Sequence, residues 1–267
     1  MNHLLRGHAP ISDSGWQLLD AEARDRLSAA LAARKLVDFS GPHGWDYSAT
    51  NLGRTTPLAS APNDGVTGRQ RQAMPLVELR ADFELSREEL RDADRGAVDT
   101  DLESLDRAAH QIAVAENVAV FHGWQQAITG ISEATPHEPI GLGEAGEEYP
   151  RHVARAVERL LCSGIAGPYG LALGREQYRR VVETAEHGGY PLLDHLGKIL
   201  QSGPIVWAPG VQGAVVASLR GGDFLFESGQ DLSLGYDSHD SEVVRLYLEE
   251  SFSFRVATPE AALALSP

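Results

Sequence analysis

Few side chains in this 267-residue chain stand at spacings that do chemistry. Ten histidines are scattered, with no His-x-His pair and none four residues from another. A metal site built from them would have to be assembled by folding alone, and no metal ligand is assigned. The one cysteine, Cys162, follows Leu160 and Leu161 and reads as a small buried hydrophobe. A single thiol also excludes an intrachain disulfide. Gly141-Leu142-Gly143-Glu144-Ala145-Gly146 spells the G-x-G-x-x-G pattern of dinucleotide sites, where glycines let a pyrophosphate approach backbone amides. However, Thr135–Ile140 does not read as the buried strand that must precede it. Glu144, Glu147 and Glu148 would also repel a phosphate, so the run reads as a loop. Tyr236-Asp237-Ser238-His239-Asp240-Ser241 holds the residue types of a hydrolytic triad. Neighbours along a chain do not place nucleophile, base and orienter, so a polar turn between strands is expected. His187-Gly188-Gly189-Tyr190 reads as an exposed tight turn. Gly-x-Ser-x-Gly, His-Glu-x-x-His, Cys-x-x-Cys and P-loop motifs are absent, and no catalytic residue is assigned.

The elements around these residues are clearer than the chemistry. Trp16, Leu19, Ala23, Leu27, Ala30 and Leu31 form an apolar stripe on a helix from about 13 to 35. Val77, Leu79, Ala81, Phe83 and Leu85 alternate with charged residues as in a half-buried strand. Ser86-Arg87-Glu88-Glu89 then reads as a capping box. Helices are expected over 101–121, 150–162, 175–186 and 191–200, and strands over 169–173, 204–208, 211–219 and 224–226. A long strand is expected over 243–256, its apolar face interrupted by Glu250. Residues 50–74 are poor in large apolar side chains and centre on the hairpin signal Asn63-Asp64-Gly65. On pattern alone, a disordered loop and an extended hairpin resting on another subunit fit this arm equally. Strands early and late, around an α/β middle, indicate an α+β chain.

Composition narrows the partners. A 42% hydrophobic content supports a sizeable core, and 23% charged residues are ordinary for a globular chain. The net charge of −15 disfavours nucleic acid and anionic membranes as partners. No apolar run is long enough to span a bilayer, no signal peptide is visible, and a cytoplasmic location is expected.

Five motifs in order carry a family resemblance. They are Gly41-Pro42-His43-Gly44-Trp45-Asp46-Tyr47, Pro75-Leu76-Val77-Glu78-Leu79-Arg80, Gly167-Pro168-Tyr169-Gly170-Leu171, Arg220-Gly221-Gly222-Asp223-Phe224, and Gly229-Gln230-Asp231-Leu232-Ser233-Leu234-Gly235-Tyr236. Together they resemble the linocin-type (family 1) encapsulin shell proteins, from Pro10 to the C-terminus. The resemblance implies the capsid fold of HK97-type tailed phages, with about sixty copies closing into an icosahedral shell around a cargo enzyme. It divides the chain into an N-terminal arm and helix (1–40), a peripheral domain (41–49, 75–129 and 221–267), an extended loop (50–74) and an axial domain (130–220). It favours an ordered arm over a disordered one.

The resemblance also implies two sites. Leu27, Leu31, Arg34, Asp38, Leu232 and Leu234 would dock the C-terminal targeting peptide of a cargo enzyme, of peroxidase or ferritin-like type. Glu186, His187, Gly188, Gly189 and Tyr190 would line a fivefold pore for small solutes. No flavin or other cofactor is expected, because the flavin-binding aromatic of some relatives is missing at Ser86–Glu89. A viral capsid protein of the same fold, or a hydrolase or bacteriocin-like enzyme, is the alternative. The first would want a scaffolding segment and a less acidic wall facing nucleic acid, and the second has no motif behind it.

Overall fold

The computed structural model describes residues 3–143, 145–184 and 190–267. In chain order its helices are α1 (Asp13–Ala30), α2 (Arg87–Asp94), α3 (Glu103–Phe121), α4 (Ile131–Ala134), α5 (Tyr149–Cys162), α6 (Arg175–Glu183) and α7 (Leu192–Ile199). The strands are β1 (Asp38–Ser40), β2 (Ala49–Pro57), β3 (Arg69–Pro75), β4 (Val77–Ser86), β5 (Ile140–Gly141), β6 (Tyr169–Leu173), β7 (Ile205–Trp207), β8 (Ala214–Ser218), β9 (Phe224–Ser228), β10 (Ser233–His239), β11 (Val243–Val256) and β12 (Ala262–Ser266).

Local chemistry accounts for most of these bounds. Ser12 starts α1 by accepting the Gly15 amide at 2.9 Å, and Ser86 starts α2 by accepting the amides of Glu88 and Glu89. The capping box is not closed reciprocally, because the Glu89 carboxylate instead accepts the Asp101 amide at 3.0 Å. The stripe expected to run as helix to residue 35 stops at Ala30. There Asn117 Oδ1 accepts the amides of Ala32 and Ala33, both at 3.0 Å. That draws the chain out of the helix into a 3-10 turn, Ala33–Lys35.

Two five-stranded sheets organise the fold. The first runs β1-β9-β11-β10, with β4 also paired to β11. Its long strand β11 pairs antiparallel with β4 from Val243 to Phe252 and with β9 from Phe252 to Val256. Helices α1 and α3 pack on this sheet around Trp16, Leu19, Leu105, Ile112, Phe83 and Leu246. The second sheet runs β5-β12-β8-β6-β7. Strands β6 and β8 are buried throughout, so both faces are covered and neither alternates. The last strand, β12, lies in this second sheet beside β8, apart from the other strands of 221–267. The segment 236–241 is also more than a turn, since β10 runs to His239.

The arm 49–75 is a third unit. Strands β2 and β3 pair only with each other, and nearly every residue of both is exposed. Its attachment is polar. Tyr47 donates to Glu227 Oε2 at 2.7 Å, and the Thr50 hydroxyl meets Ser253 at 2.6 Å. Cys162, expected to be buried, is exposed. The inward face of α5 is taken by Val153, Ala156, Val157 and Leu160, and the thiol falls on the other side.

Candidate binding groove

A cavity of about 490 Å³ opens between α1, the N-terminal segment and residues 231–234. Leu27, Leu31, Arg34, Leu232 and Leu234 all line it. The α1 stripe and its end supply Leu27 and Leu31, the 3-10 turn Ala33–Lys35 supplies Arg34, and β10 with the residue before it supplies Leu234 and Leu232. Leu27, Leu31 and Leu234 are largely buried and offer the groove only an edge, while Leu232 is half-buried. Each is therefore both core and groove wall.

Sequence reasoning missed the N-terminal segment as a wall. Leu4 and Arg6 close one end of the groove. The Leu4 carbonyl accepts the Tyr236 amide at 2.9 Å, which docks the segment against β10. Arg6 pairs with Asp20 at 2.7 Å and lies 4.1 Å from the Trp16 ring centroid. His3 approaches Glu249 at 2.9 Å and stacks on Trp45.

Arg34 sits at the other end, in a cluster of three carboxylates. Its Nε donates to Glu116 at 2.7 Å, its Nη1 to Asp231 at 2.6 Å and its Nη2 to Glu250 at 2.7 Å. The guanidinium also lies 5.1 Å and 5.5 Å from the ring centroids of Phe39 and Phe226. Glu116 and Glu250 are fully buried. Burial, and then repulsion from Glu116, pushes the Glu250 carboxyl well above its usual range. Burial also raises Glu116, against the attraction of Arg34. Burial works against the charge of Arg34, but the three carboxylates outweigh it and hold the guanidinium firmly charged. Both raised carboxyls lessen the negative charge that the single arginine has to offset in this buried place. The Glu250 that interrupts the face of β11 is thus the seat of an ion-pair network.

Asp38 stands apart from this cavity. Its Oδ2 accepts the Gly222 amide at 2.8 Å and holds the turn before β9. Of the pore residues, Glu186, His187, Gly188 and Gly189 lie outside the described residues, and Tyr190 is exposed with the Lys198 ammonium 4.9 Å from its ring. His239 Nδ1 meets the Tyr236 hydroxyl at 2.5 Å. Asp240 accepts the amides of Glu242 and Val243 and pairs with Arg245, which lowers its carboxyl to about 2. The triad-like residue types serve a strand end and its turn. The G-x-G-x-x-G run begins at the end of a two-residue strand, Ile140–Gly141, and its last glycine opens the 3-10 turn Gly146–Glu148. Among the described residues no group of three or more His, Cys, Asp or Glu is placed to hold a metal, and no helix is long and apolar enough to cross a membrane.

Comparison with known proteins places this architecture. The family model Linocin_M18, described as encapsulating protein for peroxidase, matches residues 1–253. A type 1 encapsulin shell protein of Rhodospirillum rubrum is 47% identical over 271 residues, covering 99% of this chain and 96% of its own. Its counterpart in Mycobacterium tuberculosis is 39% identical over the full length of both. Among solved structures, the virus-like particle of Pyrococcus furiosus superposes with a TM-score of 0.66 at 18% identity, covering 94% of this chain and 99% of that one. A chain of Mycobacterium phage Ogopogo gives 0.57 at 14% identity, covering 89% and 92%. These two likenesses establish the α+β capsid fold of the HK97 type, and the family model and the full-length relatives establish that the chain belongs to the type 1 encapsulin shell-protein family.

Proposed function

We propose that about sixty copies of this chain close into an icosahedral shell that holds a cargo enzyme in the cytoplasm. In this reading 50–74 is the extended loop that reaches a neighbouring copy. Residues 130–220 form the axial part that meets at symmetry axes, and 41–49, 75–129 and 221–267 form most of the peripheral part. The observation that carries the reading is the arm. A two-stranded hairpin exposed on both faces is marginal alone in water, so its ordered length needs a partner surface. A second copy of the chain supplies one at every position of a closed shell.

The groove beside α1 then takes the C-terminal targeting peptide of the cargo. Leu27, Leu31, Leu232 and Leu234 supply apolar contacts, and Arg34 shapes the end of the groove as a clamped wall. Asp38 supports the neighbouring turn. The name of the matching family model favours a peroxidase as cargo. Catalysis belongs to that cargo rather than to the shell. Small solutes pass at the fivefold axis beside 186–190, where His187 would add a group titrating near neutral pH.

Replacing 53–71 by a two-residue turn tests the reading. The shortened chain is expected to fold, with its two sheets intact by circular dichroism, yet to fail to form full-size particles by native mass spectrometry. Shells of normal mass from the shortened chain would overturn it.

A further inference from the structure

We infer that the segment docked in the groove carries a carboxylate that pairs with Arg24, an inference that rests on the docking reading above. The charges lining the cavity are Arg6, Arg24, Arg34, Asp20 and Asp231. Arg6 is matched by Asp20, and Arg34 by Asp231 and the two buried glutamates. Arg24 is exposed and has no hydrogen-bond or ion-pair partner among the described residues. It is the one charged group of the wall left for an occupant.

The dimensions fit a short extended segment. From Asp20 to Leu31 the α1 wall spans about 16 Å at 1.5 Å per residue. An extended chain covers that distance in about five residues. Arg24 stands one turn beyond Asp20, and Leu27 and Leu31 follow on the same wall. A segment lying along the wall thus meets an arginine near one end and leucines beyond it. Covering Arg24 with a neutral segment would strip water from an unmatched guanidinium, which is costly. A carboxylate replaces that water with charge-assisted, bidentate hydrogen bonds. A basic residue at this place would be repelled.

The test uses the whole shell. The chain is co-produced with a green fluorescent protein bearing random C-terminal tails of about ten residues, twice the length of the groove. Full-size particles are purified, and the tails trapped inside are sequenced. Parent shells are expected to enrich tails that combine apolar residues with Asp or Glu, the acidic residue by about threefold over the library. Arg24→Gln should abolish the acidic preference, and Arg24→Glu should replace it by Lys or Arg. Apolar enrichment with an acidic preference that is absent, or unchanged in both variants, would overturn the inference and leave groove docking standing. The absence of any enrichment in parent shells would overturn both. If Arg24→Glu blocks assembly while Arg24→Gln assembles with unaltered tail selection, Arg24 serves a contact between copies and the inference fails.

Discussion

Arg34 shows how a residue chosen for one task can be bound to another. The family resemblance implied that it would dock a targeting peptide, yet its donors are directed at Glu116, Asp231 and Glu250. Removing the arginine alone, as in Arg34→Met, strips the counter-charge from two buried glutamates. This should cost about 3–5 kcal/mol in chemical denaturation. Glu250→Gln is a different case, because the amide keeps the shape and cannot ionise. With its folded value raised, Glu250 contributes most stability below the unfolded carboxyl value of about 4.3. That contribution is lost as pH rises through the folded value. Thermal melts from about pH 5 to about pH 8 should therefore show Glu250→Gln gaining on the parent as pH rises. A difference that stays flat over that range contradicts the assignment. The sequence did mark Glu250 as a break in an apolar face, but nothing in its pattern singled out Glu116 or Asn117. It could not join them, since their partners lie 82 to 216 residues apart along the chain.

At the scale of elements, period alone was enough wherever a face was clean. The alternation of β4, the start of α1 and the Asn63-Asp64-Gly65 turn of the arm each appear where the pattern places them. Misreadings gather where a tertiary contact overrides the local signal. Asn117 ends α1 earlier than its stripe, and a thiol after two leucines falls on the outer side of α5. The last strand pairs with β8 through a register that no local signal encodes. Asn117 is the clearest single test of such a contact. It accepts the amides of Ala32 and Ala33 and donates to the carbonyls of Ala30 and Pro209 at 2.9 and 3.2 Å. Asn117→Ala leaves buried backbone groups unpaired, which should cost about 1–3 kcal/mol in urea unfolding. Because Leu31 sits on the same turn, the variant should also capture less of any tail that the parent shell encloses. Unaltered stability would mean that the helix end is set by something other than Asn117.

For the whole molecule, the order of five short motifs carried more than any one of them, and the capsid fold followed from their sum. The groove was legible only in part. Leu27, Leu31, Leu232 and Leu234 could be named from the resemblance, while Leu4, Arg6 and Arg24 became visible once the N-terminal segment lay against β10. An exposed arm that pairs only with itself and a net charge of −15 describe a subunit that meets its own copies in a shell. The mass of the purified particle tests this most directly. Native mass spectrometry of the parent chain at physiological salt is expected to give a discrete species of about 1.7 MDa, sixty copies of the 28.8 kDa chain. A monomer or small oligomer at micromolar concentration would contradict the shell.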